Sequence, residues 1–535
     1  MAKWKFDKPV NWQDFEDLCF ILWKFIWNDL RAQKNGRQAH EVLVISRKML
    51  HILITMFVAY LITSCSGFNS IDSTATKNYF IKQFGMQSSL GTAALGTEYC
   101  VSTVRDSSDN IYCTGTTDGS LGEVSGGSND AFVAKFSSEG SLIWLKQFGT
   151  ITVPSGGVTN GNQYGRAIAL DPLGNVYVTG TTDSSFGEAS SGTTDVYIAK
   201  LSSAGTLLWV TQLGAVTMQA GFSNSSPNYC SGLAVDSSSN VICAGSTQGA
   251  MGEPAGGGTH DSIIVKLDSS GTLIWVKQLG ATTTDAGGSN AASDYFEAVT
   301  TDSAGNIFAL GATFGAQGEA FAGGIDIVVA KFNSSGALQW LTQLGTITKA
   351  SGGSNALGEE ATAIALDNSG NPVITGSTRS NMGEASGGLR DIFLAKFDSA
   401  TGGLTWLKQY GSASVLPGGD TSGDDEAYAL AIDSSDNIYI TGYTESSLAA
   451  TSDNSGDIFF GKFNSSGTPQ WFTQLTENTL PAEYNTSGSE SCTGLVINSS
   501  GELICTGSTD GNLNDTLGGG EDVIFVKVSP LGKIL

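Results

Sequence analysis

The sequence predicts an all-β fold, a seven-bladed β-propeller of four-stranded antiparallel blades, from three observations. First, a motif of Asp, three mostly apolar residues, Ala, Val or Gly, and then Lys begins at Asp130, Asp195, Asp261, Asp326, Asp391, Asp457 and Asp522, at steps of 65 or 66 residues. A Trp follows each of the first six copies, at Trp144, Trp209, Trp275, Trp340, Trp406 and Trp471. Second, each unit holds four strand-like runs joined by alternating short and long connections. Third, the two ends of the array carry complementary partial units. Repetition at this period is the signature of stacked or ring-closed units, in which each copy buries its apolar face only against its neighbours.

One unit shows the elements in order. Asp130–Phe136 and Ser141–Gly149 are rich in β-branched and aromatic residues and are joined by Ser137–Gly140; Gly165–Asp171 and Asn175–Gly180 are joined by Pro172–Gly174. Short Gly- and Ser-bearing joins between such runs read as hairpins. Four antiparallel strands repeated about an axis make a propeller. The array opens with Asn78–Gly85, a copy of the Trp-bearing strand alone, and finishes with Asp522–Val528, a copy of the strand that should precede it. Together they complete one blade, and closing the ring removes the exposed sheet edges of an open array. An open solenoid is the structural alternative, and it would not need these complementary halves.

The units Gly165–Thr182 and Asp195–Leu201, followed by Leu207–Trp209, resemble the SBBP family, the bacterial β-propeller repeat, and the resemblance covers residues 78–535. It implies a propeller fold and an extracytoplasmic setting, and no established reaction.

The tight turns alternate with long connections such as Thr150–Tyr164 and Thr181–Thr194, so in an up-and-down meander all long loops gather on one face. That face is the candidate functional surface. The repeated Asp, the strand Lys (Lys135, Lys200, Lys266, Lys331, Lys396, Lys462, Lys527) and the Gln after the Trp position (Gln83, Gln147, Gln212, Gln278, Gln343, Gln409, Gln474) are expected to satisfy blade-to-blade hydrogen bonds. A Gly-Glu series in one long loop, Glu123, Glu188, Glu253, Glu319 and Glu384, is the candidate calcium site, because calcium takes six to eight oxygens. Ordinary solvated loop acids are the plainer reading, since no spaced Asp-x-Asp-x-Asp-Gly loop occurs. Function is expected where the symmetry breaks: His260, Arg105, Arg166, Arg379, Arg390, and the sixth unit, where Leu448 and the residues after it replace Gly-Glu.

Eight Cys divide by position: Cys19, Cys65, and three pairs each 13 apart, Cys100/Cys113, Cys230/Cys243 and Cys492/Cys505. Both members occur in the same three units and neither in the other four, which predicts three within-blade disulfides in an oxidising compartment. Buried free thiols are the alternative. A simple hairpin register places the two Cys out of direct opposition, near the Cα limit of about 7 Å.

The segment before the repeats differs in kind. Residues 1–48 hold 9 of 27 basic and 6 of 51 acidic residues. Residues 49–64 form an uncharged apolar run after Arg47 and Lys48, short for a membrane span and of suitable length for a signal peptide. Ile62, Thr63, Ser64 and Cys65 resemble a bacterial lipobox, which implies lipidation of Cys65, cleavage before it and a linker over 65–77; an uncleaved signal anchor is the alternative. Residues 12–38, with an apolar helical stripe and Asn35-Gly-Arg-Gln38, resemble the start of a restriction-endonuclease-like domain, truncated before its metal ligands. The helical extension 1–48 then reads as a fused fragment or a start codon placed too far upstream.

The formal charge is −24, and without residues 1–64 it is 18 − 45 = −27. This excludes nucleic acid as a partner, which needs clustered Lys and Arg. With three His in the chain, one of them beyond residue 64, imidazole chemistry and His/Cys metal clusters are excluded and no catalytic residue stands out. The sequence therefore predicts a monomeric lipoprotein of the bacterial cell envelope, anchored in a lipid bilayer, whose long-loop face binds a protein, glycan or ion. The alternatives are a carbohydrate-active or lyase-type enzyme using loop carboxylates, and a purely structural envelope protein.

Overall fold

The computed structural model describes residues 81–84, 96–121, 125–149, 161–186, 194–213, 227–251, 259–279, 293–317, 324–344, 358–382, 389–410, 423–449, 456–476, 488–511 and 520–535. They form 28 strands in seven four-stranded antiparallel sheets. The first blade runs β2 (Glu98–Arg105), β3 (Ile111–Thr117), β4 (Asp130–Phe136) and β5 (Leu142–Gln147) in spatial as in chain order. Its first strand is the innermost. The equivalent inner strands β6 (Gln163–Leu170), β10 (Asn228–Val235), β14 (Asp294–Thr301), β18 (Glu359–Leu366), β22 (Asp425–Ile432) and β26 (Glu490–Ile497) each contact the next, and β26 returns to β2, so the ring closes about an axis. The last blade takes β1 (Ile81–Phe84) as its outer strand beside β28 (Asp522–Val528), with Ile81 opposite Val526 and Phe84 opposite Val523. The seven blades, the closure and the boundaries of Asp130–Phe136 and Asp522–Val528 agree with the sequence reading; the inner strand starts two residues earlier than Gly165, at Gln163.

The second strand of the first three blades is buried along its whole length, and so is the third strand but for its Lys in some copies. Neighbouring blades cover both faces of these strands, which is why they read as continuous Val, Ile, Phe and Tyr runs instead of alternating ones. The core therefore lies between blades, as where Phe148 and Phe186 meet Tyr197. Farther out, the Trp144 ring meets Tyr112 edge-on at 6.0 Å and its indole N–H donates to the Ser203 carbonyl of the next blade at 3.2 Å. Gly205, at φ 82°, lies against that indole, and a Cβ there would stand 2.9 Å from the ring.

The repeated polar residues divide in two. Gln147 donates to Asp130 at 2.8 Å and to the Gly119 carbonyl at 2.8 Å, and accepts from the Leu121 N–H at 2.6 Å. The Asp–Gln series thus ties the base of a long loop within its own blade, contrary to the expected blade-to-blade role, because the third and fourth strands place both side chains at one end of one sheet. The Lys series does cross: Lys200, Lys266 and Lys331 donate to the carbonyls of Ser269, Ser334 and Ser399 in the next blade, at 3.2, 3.2 and 2.8 Å.

Disulfides join Cys100–Cys113, Cys230–Cys243 and Cys492–Cys505, with Cα separations of 5.9, 5.9 and 5.8 Å. Cys100 is paired with Gly115, and Cys113 with Thr103, so the two are diagonal neighbours. The register shifts between Cys100 and Ser102, and this bulge brings the diagonal within disulfide reach. Closing a loop of this length stabilises by about 3 kcal/mol per bridge. Reduction is therefore expected to lower the melting temperature, and alkylation of denatured, unreduced protein should leave these six cysteines unlabelled in a peptide mass map. Labelling of any of them before reduction would overturn the pairing.

Candidate functional site

The bulge recurs in all seven inner strands, where eight residues face seven on the neighbour. The unpaired residues are Val101, Arg166, Ser231, Glu297, Thr362, Tyr428 and Thr493. A local cause is the glycine on the second strand, for instance Gly115, where a Cβ would overlap the Tyr99 carbonyl oxygen. A bulge re-aims the side chain it carries. In a chain whose other positions repeat closely, this one holds an aliphatic, a cation, an anion, a phenol and three hydroxyls.

Five of these residues, Val101, Arg166, Ser231, Glu297 and Thr362, come from consecutive blades yet line one cavity of about 330 Å³, joined by Tyr295 and Glu360. A second cavity of about 490 Å³ shares Arg166, Ser231, Glu297 and Tyr295 and adds Tyr229, Thr259, His260 and Ser293. The two are lobes of one space on the propeller axis. Ser293, Tyr295 and Tyr229 sit where β14 and β10 begin, the end from which the long loops spring.

Glu297 is open to solvent by area but closely ringed by protein, as a group lining a water-filled channel would be. Desolvation pushes its carboxyl up and Glu360 adds to this, while a hydrogen bond from Ser231 and the charge of Arg166 oppose it. Burial pulls His260 down, against Asp261, which favours the neutral imidazole. Gln248 Nε2 lies 2.9 Å from its Nε2 and Thr259 Oγ1 3.0 Å from its Nδ1, and Thr259 in turn contacts the Ser293 hydroxyl. Arg390 is ion-paired with Glu360 at 3.0 Å and with Glu426, which also accepts from the Tyr428 hydroxyl at 2.7 Å. Arg166 makes no hydrogen bond or ion pair with another described residue.

Of the symmetry-breaking residues read from the sequence, Arg166 and His260 meet in this cavity and Arg390 holds one of its walls through Glu360. Arg379 acts electrostatically on Asp424, and Arg105 pairs with Asp109 at 3.0 Å in a tight turn, at the opposite end of the inner strand. Cys65 and Glu123, Glu188, Glu253, Glu319 and Glu384 lie outside the described residues, as do the apolar run 49–64 and residues 12–38. Among the described residues no group of three or more His, Cys, Asp or Glu could hold a metal ion, and no helix is long and apolar enough to cross a membrane. Sequence reasoning missed Ser231, Glu297, Tyr229 and Tyr295; superposing the seven units on the Gly of the second strand exposes the variable column three residues after Glu98 and its counterparts.

Residues 143–187 and 405–448 match the family model described as SBBP, beta-propeller repeat. A search of the curated proteins finds no match. Among solved structures, the chain is similar to polysaccharide lyase Uly1, at 11% identity over 81% of this chain and 90% of that one with a TM-score of 0.44. It is also similar to the periplasmic gluconolactonase PpgL of Pseudomonas aeruginosa, at 11% identity over 80% and 99% with a TM-score of 0.40. A protein of unknown function from Bacteroides caccae is 11% identical over 64% and 89%, with a TM-score of 0.33. No comparison supports the resemblance read in residues 12–38.

Proposed function

We propose that this propeller of SBBP-type repeats is a binding scaffold of the bacterial cell envelope, held to a membrane through acyl chains on Cys65, which takes a polyhydroxylated ligand, a glycan, in its axial cavity. The observation that carries the reading is the variation of the bulge ring. Residues that only support the ring, such as the Asp, Gln and Lys series, are the same in every blade, whereas the side chains turned towards the axis differ from blade to blade and converge on one concave space. Its lining of Tyr229 and Tyr295 with the hydroxyls of Ser231, Thr259 and Ser293 suits a sugar, whose ring faces are apolar and whose edge is a row of hydroxyls. Both lobes are of ligand size.

Calorimetric titration of the full-length protein with a panel of oligosaccharides should find a binder, and Tyr295→Ala should weaken it about tenfold, or 1.4 kcal/mol, without changing the melting temperature. Absence of any binder, or unchanged affinity in Tyr295→Ala, would reject the reading. Cys65→Ala should abolish metabolic labelling by a palmitate analogue.

A second reading is favoured by one feature. Glu297, with a carboxyl pushed up, and Glu360, ion-paired to Arg390, line the same lobe, and two carboxyl groups in unlike environments are the requirement for acid–base cleavage of a glycosidic bond. New reducing or unsaturated ends from a bound glycan, lost in Glu297→Gln, would replace the scaffold by an enzyme.

A further inference from the structure

The free guanidinium of Arg166 narrows the ligand, on the premise that the axial cavity is a glycan site. Acidic residues outnumber basic ones 51 to 27, so a cation here has many potential partners. Arg105 takes Asp109, and Arg390 takes Glu360 and Glu426. Arg166 lines both lobes and pairs with no described residue. Glu297, on which its charge acts, is instead hydrogen-bonded to Ser231 and shifted towards its neutral form.

The arrangement is built in. Arg166 is the extra residue of its strand, and Gly165 before it is packed so closely that a Cβ would stand 2.5 Å from the Gly115 carbonyl oxygen. Ala167 and Ile168 after it are 6% and 3% exposed. The backbone is therefore clamped on both sides of a side chain that turns to the axis. A guanidinium has five N–H donors in a planar fork, which a carboxylate or sulfate satisfies bidentately. Among the described residues lining the two lobes it is the one fixed cation. A single cation in a chain of charge −24 suits one anionic group at a time and disfavours a dense polyanion.

We infer that the axial cavity binds an acidic saccharide, whose carboxylate or sulfate is received by Arg166 while its ring lies against Tyr229 and Tyr295. The carboxylate and sulfate forms share this chemistry and are separated by the probes.

The test titrates full-length protein and Arg166→Gln, Arg166→Lys and Tyr295→Ala variants with digalacturonate, a sulfated disaccharide and neutral cellobiose, after thermal unfolding has confirmed each fold. At least one acidic probe should bind more tightly than cellobiose. Arg166→Gln should weaken it at least about tenfold, Arg166→Lys should retain part of the affinity, and added salt should weaken the wild type more than Arg166→Gln. Which probe binds identifies carboxylate or sulfate. If cellobiose binds as well as the acidic probes and Arg166→Gln changes nothing while Tyr295→Ala does, the anion inference fails and the cavity reading stands. If no probe binds, or Tyr295→Ala is also without effect, both fail.

Discussion

Thermal unfolding should give a higher melting temperature near pH 5 than near pH 8. The cause is a set of buried acids at the blade junctions. Where β2 begins, the Glu98 N–H donates to the Glu521 carbonyl at 2.9 Å, which sets its carboxyl beside Asp522 of the preceding blade. The Asp294 N–H donates likewise to the His260 carbonyl at 2.9 Å, beside Asp261, and the Asp425 N–H to the Arg390 carbonyl at 3.1 Å, beside Asp391. The three acids are at most 1% exposed. Thr117 donates to Glu98 Oε1 and Thr444 to Asp425 Oδ1, while Glu98 Oε2 and Asp425 Oδ2 have no donor among the described residues. Desolvation first, and then the neighbouring acids, push Glu98 and Asp425 up to about 7 and Asp294 to about 6, from 4.5, 3.8 and 3.8.

A carboxyl raised on folding contributes stability that is complete below its unfolded value and is lost as pH rises through its folded value, here between about pH 5 and 8. Each tenfold change in acidity is worth about 1.4 kcal/mol, so three such groups together amount to several kcal/mol. The turn acids Asp106, Asp171, Asp236, Asp367 and Asp433 move the other way, burial being outweighed by the Asn and backbone donors around them and, for Asp171, Asp236 and Asp367, by Lys200, Lys266 and Lys396, so what they contribute is lost only below about pH 4. His260 opposes the trend as a single group. The chain supplies its own control, since Gln163 and Asn228 occupy the Glu98 position in two blades. Glu98→Gln should raise the melting temperature near pH 8 and flatten the profile. A profile that rises towards pH 8, or one that Glu98→Gln leaves unchanged, would refute the assignment.

The second large effect is expected from one methyl group. Gly311 faces Phe296 across the β14 bulge, and a Cβ on it would overlap the Tyr295 carbonyl oxygen and stand 2.6 Å from the Phe296 Cα. Both obstacles are backbone, so neither can rotate away. Gly311→Ala should cost at least about 3 kcal/mol, the upper part of the range for overpacking, and should also shift Tyr295 and Glu297 and so abolish binding in the axial cavity. Gly370→Ala is the comparison: at φ 80° with nothing within 4 Å of the added carbon, it carries only the left-handed backbone cost of about 1–2 kcal/mol and leaves the cavity intact. Chemical unfolding midpoints measured in parallel decide the point, and Gly311→Ala unfolding at or above the Gly370→Ala midpoint would overturn it.

The fold was legible because seven copies average away local ambiguity. A single Asp130–Phe136 run could be a strand or a buried helical turn, but seven at one period, with the missing strand of the last blade found at Ile81–Phe84, admit little else. The site was not legible, and register is the reason. Whether residue 166 or 297 faces a neighbour or the axis depends on one extra residue opposite Gly180 or Gly311, and hydropathy along a strand does not report an extra residue. The same blind spot put the Cys pairs near the limit of disulfide reach. The junction acids were hidden differently: each member of Glu98/Asp522 recurs in its own series, but only the three-dimensional ring places the start of one blade against the third strand of the one before.

The seam between β1 and β28 also dictates an order of events. Lys82 faces Phe525, so the first strand of the propeller waits for the last one described. Contacts this remote in sequence form late, after the loop-closure entropy of all the chain between them has been met. Blades with four consecutive strands can assemble as hairpins on their neighbours while the seam is still open, and for that interval the half-built ring presents two raw edges. The interval ends only when β28 arrives, which makes Asp522–Val528 the strand that times closure of the ring.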